Sequence, residues 1–210
     1  MARWSLGLCT LCLFLGELSA GLPPGRPLEA CPKFSVQDVR ANSDGLDSYW
    51  LELKLESLKL RWYHSSEWKI QSEHTERVSL LLVHRSDPNL RLTLSYYPSG
   101  SWLVDFSEAS IAAYLQSLRD RHDESEVVVQ NDGSFRPAIG SPPFLTGNYR
   151  QFIYVVKPVN PAGRSIGACD ALTFTKDGGL LVFHQSGPAD RLPYLEADLG
   201  ATLAQFVEMD

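Results

Sequence analysis

The side chains that could perform chemistry are spread thinly along this chain. Its five histidines are far apart, and no His-x-His or His-Glu-x-x-His spacing, which would suit a metal ion, occurs among them. The one local cluster of potential ligands is His122-Asp123-Glu124, which we interpret as the solvated end of a helix. The sequence therefore predicts neither a metal site nor a bound cofactor.

Catalytic groups for hydrolysis are also weakly indicated. No serine lies on an evident strand-to-helix turn of the kind that exposes a nucleophile. The glycine-rich phosphate-binding sequences Gly-x-x-x-x-Gly-Lys and Gly-x-Gly-x-x-Gly do not occur. Glu124 and Glu126 could face the same way, but this spacing is also typical of a solvated strand edge. We therefore favour a protein that is not an enzyme, and a hydrolase whose site is assembled in space is the alternative.

The composition is that of one ordinary globular domain. The chain has 210 residues, and its content of 44% hydrophobic and 21% charged residues is far from that of a disordered protein. The formal net charge is -6, and Lys and Arg residues are not clustered. Because a nucleic-acid backbone is bound by clustered cations, we expect no nucleic-acid partner.

The first segment, residues 1–20, resembles a secretory signal peptide. Arg3 is its positive end, residues 6–15 form an apolar run, and Ala20 is a small residue suited to cleavage. A transmembrane anchor is the alternative, but the apolar run is about half of the roughly 20 residues that span a bilayer. No other stretch is apolar enough, so we expect no transmembrane segment and an extracytoplasmic protein, either periplasmic or secreted.

The cysteines agree with export. Cys9 and Cys12 lie in the signal segment, which leaves Cys31 and Cys169 in the mature chain. In an oxidising compartment these two residues are expected to form one disulfide, with two separate buried thiols as the alternative. Lipid attachment at Cys31 is disfavoured because Glu29 does not fit a lipoprotein box.

The mature chain is predicted to contain a lead-in and a single α+β domain. Residues 21–46 begin with a segment rich in Pro and Gly and are interpreted as an extended lead-in. In the domain, residues 47–208, apolar residues first alternate with charged ones, and the phase changes near Ser57 at a bulge or turn. This period of two predicts half-buried strands whose inward residues are Leu51, Leu53, Leu55, Leu58, Leu60 and Trp62. A helix is the alternative, because Leu, Lys and Glu favour helix, but the strict alternation favours strands.

Further strands follow after short turns, so their pairing is expected to be antiparallel. Strands are predicted over residues 67–71, 78–84, 90–96 and 101–106. Ser107 is suited to cap the first helix, which has Ile111, Tyr114, Leu115 and Leu118 at helical spacing. A short strand over residues 126–130 comes next, and residues 131–148 and 157–167 are predicted to be long loops.

The C-terminal part has the clearest pattern. Strands are predicted over residues 149–157, 171–175 and 180–185, the last two joined by a turn at 176–179. A helix from about residue 189 to 207 aligns Leu192, Leu195, Leu199, Leu203 and Phe206 on one face. Strands grouped together, with two amphipathic helices that need a surface to cover, predict an α+β sandwich with an antiparallel sheet of about six or more strands.

Two stretches are candidates for a binding surface. Residues 61–68 concentrate aromatic side chains around a hairpin turn, and the predicted loop at 131–148 contains apolar ones. Exposed aromatic and apolar side chains often mark partner sites, whereas the alternative is that they form a satellite core. The candidate residues are Trp62, Tyr63, Trp68, Phe135, Ile139, Phe144 and Leu145.

Two groups of residues resemble the PsbP/Mog family. One is Ser99-Gly100-Ser101-Trp102, which leads into Phe106-Ser107 and the first helix, and the other is residues 180–187 followed by Leu195, Leu199 and Phe206. The order of elements from about Asp47 to Val207 is similar as well. The resemblance implies an α/β/α sandwich and, because members of that family are mostly non-enzymatic, a binding role.

The chain departs from two branches of that family, the photosystem II lumenal subunits and the Ran-binding protein. It has no thylakoid transit peptide, and export excludes a nuclear GTPase partner. No functional residue is therefore transferred. We expect an exported accessory or binding protein that acts through loops and a sheet surface on another protein or a small apolar ligand. The alternatives are an exported hydrolase and a structural subunit of an envelope complex.

Overall fold

The computed structural model describes residues 35–43, 46–55, 58–63, 67–72, 80–100, 102–122, 125–137, 148–160 and 162–208. These ranges contain the following strands and α-helices in chain order: β1 Ser35–Ser43, β2 Leu46–Leu55, β3 Leu58–Trp62, β4 Trp68–Ser72, β5 Leu80–His84, β6 Arg91–Tyr97, α1 Glu108–Arg121, β7 Ser125–Pro137, β8 Asn148–Pro158, β9 Ile166–Phe174, β10 Leu180–Pro188, α2 Leu192–Ala204 and β11 Phe206–Glu208. No helix in this part of the chain is long and apolar enough to cross a membrane.

The strands form two antiparallel sheets. A seven-stranded sheet has the order β4-β5-β6-β10-β9-β8-β7, and a four-stranded sheet has the order β1-β2-β3-β11. The alternation predicted for β2 and β3 is confirmed, because Leu51, Leu53 and Leu60 are fully buried on one side while Lys54 and Lys59 are exposed on the other. Leu55 of β2 pairs with Leu58 of β3, and the bulge or turn predicted near Ser57 lies outside the described residues.

Two cores lie on opposite faces of the seven-stranded sheet. On one face α1 covers a core that includes Tyr114, Leu118, Phe152 and Leu172. On the other face α2 and the inner side of the four-stranded sheet share a larger core that includes Leu60, Leu181, Leu195 and Leu199. The predicted α+β sandwich with helices packed on an antiparallel sheet is therefore confirmed.

Both helices have the expected inward residues. Ser107 is the N-cap of α1, and its hydroxyl accepts a hydrogen bond from the backbone N–H of Ser110 at 3.3 Å. Helix α2 buries Leu192, Leu195, Leu199 and Leu203. It ends at Ala204, earlier than predicted, because residues 206–208 instead pair with β3 as β11.

The structure corrects the predicted strand over residues 101–106. Residues 102–106 are not in a strand, since both edges of β6 are already paired, one with β5 and the other with β10. The segment instead places Trp102 and Leu103 in the α1-side core, where the Trp102 ring lies 5.2 Å from that of Tyr97.

The predicted loop at residues 131–148 is also corrected. Strand β7 continues to Pro137 and pairs with β8 across two register shifts, the second between Asp132 and Ser134. Gly133 lies at this shift and has a φ of 99°. Because glycine adopts this backbone angle readily, its presence here indicates a bulge inside the strand. Residues 138–147 lie outside the described residues.

Candidate functional site

A buried carboxylate lies at the centre of the α1-side face. Asp170 is in the middle of β9 and is only 1% exposed. Its Oδ2 accepts hydrogen bonds from the hydroxyls of Tyr114, on α1, and of Tyr154, on β8 at 3.1 Å. Its Oδ1 lies 2.6 Å from His184 Nδ1. Burying a charge is costly unless it is paired and hydrogen-bonded, and three elements besides β9 supply these partners.

The electrostatics favour an ionised Asp170 between two neutral tyrosines. Burial opposes ionisation of Asp170, but the charge and hydrogen bond of His184, and then the charge of Arg121, keep the pKa of the carboxyl below its usual value. Burial, with the negative charge of Asp170 second, raises the pKa of both Tyr114 and Tyr154 well above the ordinary tyrosine value. Both hydroxyls therefore act as donors to the carboxylate at neutral pH.

The C-terminal end of α1 adds positive charge to this cluster. The Nε of Arg121 donates to the carbonyl oxygen of Ser117 at 3.2 Å, and its Nη2 is buried without a hydrogen-bond partner among the described residues. Burial lowers the pKa of Arg121, but the neighbouring Tyr114, Tyr154 and Asp170 outweigh burial and raise it. Burial, followed by the positive charges of Arg121 and His184, lowers the pKa of His122.

Of Tyr114, Tyr154, Asp170 and His184, only His184 reaches the surface, with 24% of its side chain exposed. Because Nδ1 faces the carboxylate of Asp170, the ring donates a hydrogen bond from Nδ1. This Asp–His arrangement orients an imidazole as in a hydrolytic triad. In the described part of the chain, however, no serine or threonine hydroxyl forms a hydrogen bond with the ring.

One serine has the spacing of a nucleophile elbow but the wrong structural context. Gly163-Arg164-Ser165-Ile166-Gly167 fits Gly-x-Ser-x-Gly, yet Ser165 leads from a loop directly into β9. A nucleophile elbow requires a turn from a strand into a helix. The described residues also contain no group of three His, Cys, Asp or Glu side chains that could hold a metal ion.

Beyond α1, the same face of the sheet has a row of side chains that we call the open face: Lys69, Val83, Arg91, Ser186 and His184. Strand pairing places Ser186 opposite Arg91, Arg91 opposite Val83, and Val83 opposite Lys69. Residues paired in this way point to the same side of a sheet. A groove of about 340 Å³ runs along part of this row and is lined by Lys69, Ile70, Gln71, Val83, Pro88 and Arg91.

Helix α1 does not cover the open face. The described core beneath α1 includes residues of β6, β8, β9 and β10 but none of β4 or β5. Lys69 and Arg91 are exposed and Val83 is half-buried. Among the described residues that line the groove, two are cations and none is a carboxylate, although the whole chain has a net charge of -6.

The structure corrects the placement of two predicted binding residues. Trp62 is 1% exposed and Trp68 is 5% exposed, and both belong to the α2-side core. The alternation that buries Leu60 also turns Trp62 inward, and the Trp68 ring packs edge-on against His84. Tyr63 is 42% exposed, and its role in binding stays a prediction.

The other predicted binding residues and Cys31 lie largely outside the described side chains. Phe135 lies in β7 instead of a loop, and its side chain is not among those described. Ile139, Phe144 and Leu145 lie outside the described residues, as does Cys31. Cys169 is buried, and its Sγ accepts a hydrogen bond from Gln151 Nε2 at 3.2 Å. Its pairing with Cys31 stays a prediction.

Sequence reasoning missed Asp170 and gave His184 no special role. The available signal was a carboxylate inside the small and apolar run Gly167-Ala168-Cys169-Asp170-Ala171-Leu172, where an unpaired charge would be costly. The predicted strand began only at residue 171, so Asp170 fell between the predicted elements. The partners Tyr114 and Tyr154 have no sequence spacing that marks them.

Comparisons with known proteins identify the fold. No protein-family model and no curated protein matches the sequence. The solution structure of cyanobacterial PsbP (CyanoP) from Synechocystis sp. PCC 6803 matches with a TM-score of 0.52 and 15% identity, over 89% of this chain and 99% of that chain. The crystal structure of the Ran-binding protein Mog1p of Saccharomyces cerevisiae matches with a TM-score of 0.52 and 7% identity, over 82% of this chain and 95% of that chain.

These matches confirm the resemblance to the PsbP/Mog-like fold. At such low identities the likeness concerns the fold alone, and the Asp170 cluster and the open face are described from this chain's own residues.

Proposed function

We propose that this protein is an exported accessory protein that binds an acidic segment of a partner protein on the open face. The observation that supports this most is the row Ser186, Arg91, Val83 and Lys69, which crosses four neighbouring strands beside α1 and which α1 does not cover. Such a face offers exposed cations around a half-buried apolar residue, which suits a mixed polar and apolar protein contact.

Charge complementarity selects the partner. A cationic groove on a chain of net charge -6 attracts a carboxylate-bearing segment locally, while the remaining surface repels acidic proteins in general. This charge distribution restricts an acidic partner to one face of the protein. An acidic segment gains favourable contacts with Lys69 and Arg91 only when it lies along the groove.

A small apolar ligand fits this groove less well than a protein does. Pockets for small ligands are concave and mostly apolar, with few polar groups. Here a lysine, an arginine and a glutamine are among the six lining residues, and the groove lies on the rim of the sheet at β4. A protein partner also agrees with Mog1p, a protein of this fold that binds Ran.

Export rests on the signal peptide predicted at residues 1–20, which lie outside the described part of the chain. The partner is then a protein of the same extracytoplasmic compartment. N-terminal sequencing of the secreted or periplasmic protein tests this part, and a mature chain that retains Arg3 contradicts it.

The binding test uses charge reversals on and away from the open face. The mature chain is titrated with a fluorescent ten-residue glutamate peptide, and separately used to capture proteins from the exported fraction of its native source. We expect Lys69→Glu combined with Arg91→Glu to weaken peptide binding at least about tenfold, since each lost pair contributes up to about 1 kcal/mol and reversal adds repulsion.

A matched double reversal supplies the control. Lys54 lies on the outer side of the four-stranded sheet and Lys176 in the turn before β10, and both are exposed. Lys54→Glu combined with Lys176→Glu changes the net charge equally and is expected to retain binding within about twofold. Equal losses in the two double variants, or no binding of the peptide by the unmodified chain, would overturn the proposed function.

A further inference from the structure

Strand β4 is an edge strand of the seven-stranded sheet, and the groove of the open face runs along it. The strand order places β5 on one side of β4 and, among the described residues, no strand on the other side. Three consecutive residues of β4, namely Lys69, Ile70 and Gln71, line the groove. A partner that lies in this groove is therefore next to the unpaired edge of β4.

A backbone hydrogen bond shows which groups of β4 point to this edge. The N–H of Arg85 donates to the carbonyl oxygen of Glu67 at 2.6 Å, so Glu67 points its carbonyl toward β5. In an antiparallel sheet the backbone groups of successive residues point alternately to the two neighbouring strands. The N–H and C=O groups of Trp68 and Ile70 therefore point to the unpaired edge, while those of Lys69 point toward β5.

The pairing of β5 with β6 agrees with this alternation. His84 is the residue of β5 opposite Trp68, and its N–H donates to the carbonyl oxygen of Leu90 at 3.1 Å. His84 thus points its backbone groups away from β4, as expected for a pair without mutual hydrogen bonds. In the described part of the chain, no residue pairs with the outward groups of Trp68 and Ile70.

The side chains of β4 alternate between the two faces of the sheet. Lys69 is exposed on the open face, whereas Trp68 and Ile70 pack against the α2-side core, Ile70 being half-buried. A register shift between Ile70 and Ser72 ends the regular stretch. The edge therefore offers the backbone groups of two residues on either side of one exposed cation.

We propose that the acidic segment of the partner adds to the seven-stranded sheet as an eighth strand, antiparallel to β4, with an acidic residue opposite Lys69. This inference rests on the proposed function and specifies how the segment binds. Hydrogen bonds from the main chain to a sheet edge supply affinity, and the alternating side chains of the added strand supply specificity. Every pairing within this sheet is antiparallel, so the added strand continues its pattern.

The side chains of the edge determine the chemistry of the segment. A residue opposite Lys69 points to the open face, and in a pair without hydrogen bonds the two Cα atoms lie only about 4.5 Å apart. An acidic residue at this position pairs with Lys69, at the groove that Lys69 and Arg91 line. The residues before and after it lie beside Trp68 and Ile70, where a β-branched side chain suits the half-buried surface. The preferred partner is therefore an extended segment that alternates acidic and β-branched residues.

Peptides with methylated backbone nitrogens test this strand pairing. A fluorescent ten-residue peptide that alternates threonine and glutamate is titrated into the mature chain. In the antiparallel arrangement each glutamate N–H points away from β4, whereas each threonine N–H points toward it. We expect methylation of the glutamate nitrogens to change Kd less than about threefold. Methylation of the threonine nitrogens is expected to weaken binding at least about thirtyfold, because two hydrogen bonds to the edge are lost.

Each other outcome contradicts a stated part of the proposal. Equal affinities of the two methylated peptides would overturn the inference, because binding would then involve side chains without strand pairing. Weaker binding of the peptide with methylated glutamates would overturn the antiparallel arrangement. If the ten-residue glutamate peptide binds and the unmethylated alternating peptide does not, the inference fails and the proposed function stands. Absence of binding by both of these peptides refutes both.

Amide hydrogen exchange of the mature chain, measured by nuclear magnetic resonance, gives a second readout that needs no variant. The N–H groups of Trp68 and Ile70 are expected to exchange rapidly in the free chain and at least about tenfold more slowly with saturating alternating peptide. The N–H of Lys69, which points toward β5, is expected to exchange slowly in both states. Slow exchange of Trp68 and Ile70 in the free chain would show that a second copy or another segment of this chain already covers the edge, and would overturn the inference.

Discussion

Asp170 Oδ1 and His184 Nδ1 lie 2.6 Å apart although 14 residues separate them in the chain. The two residues are direct partners in the β9–β10 hairpin, so the register of one turn decides that they meet. The carboxylate also accepts hydrogen bonds from two tyrosine hydroxyls. One of them belongs to Tyr114 on α1, 56 residues away in the chain. The Asp170–His184 pair joins the two parts of the candidate site, the buried cluster and the open face.

Replacing Asp170 with asparagine is expected to destabilise the fold by about 3 kcal/mol, because the charge that pairs with His184 and Arg121 is lost inside the protein. Urea unfolding followed by circular dichroism measures this change. Asp132→Asn, at an exposed position of β7, is the matched control and is expected to change stability by less than about 0.5 kcal/mol. Equal effects of the two substitutions would contradict the role given to Asp170.

The acid stability of the fold should depend on Asp170. The pKa of its carboxyl is lower in the folded state than in the unfolded chain, where it is about 3.9. Its contribution to the free energy of unfolding is therefore complete above about pH 4 and is lost as the pH falls through the folded-state pKa. We expect the stability difference between the unmodified protein and Asp170→Asn to be constant from pH 7 to about 5 and to shrink below about pH 4. A stability difference that grows on acidification would contradict a lowered pKa of the Asp170 carboxyl in the folded state.

Alkaline conditions act on the two tyrosines of the cluster. The folded-state pKa of Tyr114 and of Tyr154 lies above the unfolded value of about 10. Their stabilising effect is fully present below that pH and is lost as the pH rises through the folded-state pKa. Absorbance at the tyrosinate wavelength should show that Tyr154→Phe has one fewer tyrosine that titrates only with unfolding than the unmodified protein has. If Tyr154→Phe instead lost a tyrosine that titrates freely in the folded protein, the buried cluster would be contradicted.

Gly133 tests the bulge that shapes β7 above this site. An added Cβ would combine a φ of 99° with contacts as short as 2.8 Å to the Phe152 ring, whereas at Gly100, with a φ of 74°, it would meet nothing within 4 Å. We expect Gly133→Ala to destabilise by about 3 kcal/mol and Gly100→Ala by about 1 kcal/mol. Thermal unfolding of the two variants measures the difference, and similar shifts would show that Phe152 moves aside freely.

The predicted disulfide gives a test that also bears on export. If Cys31 and Cys169 pair, peptide mapping of the exported protein without reduction will contain a linked peptide, and Cys31→Ala will lower stability by up to about 5 kcal/mol on chain-entropy grounds. The same substitution is expected to have little effect in protein kept reduced. Labelling of both thiols in the unfolded, unreduced exported protein would show that no such bond forms.

Much of the fold follows from local pattern. Three local signals were sufficient: the alternation around Leu51 and Leu60, the Ser107 cap, and the leucines of α2. Each is a spacing or a boundary that neighbouring residues define. The predicted element boundaries were wrong where pairing with a strand that is distant in the chain decided the local structure. Residues 131–137 are strand because β8 pairs with them, and residues 206–208 leave the helical pattern because the edge of β3 pairs with them.

The sequence by itself therefore determined the fold class, the antiparallel strands, the two amphipathic helices and the expectation of export. It did not determine which polar residues meet. Tyr114, Tyr154, Asp170 and His184 come from α1, β8, β9 and β10, and only strand order and helix docking place them around one carboxylate. The open face depends on the tertiary structure in the same way, because a strand pattern predicts that one side is buried but not where the helix that covers it stops. The packing of strands and helix decides that the carboxylate of the cluster is buried and that the cations of the open face are exposed. No single segment of the chain specifies either result.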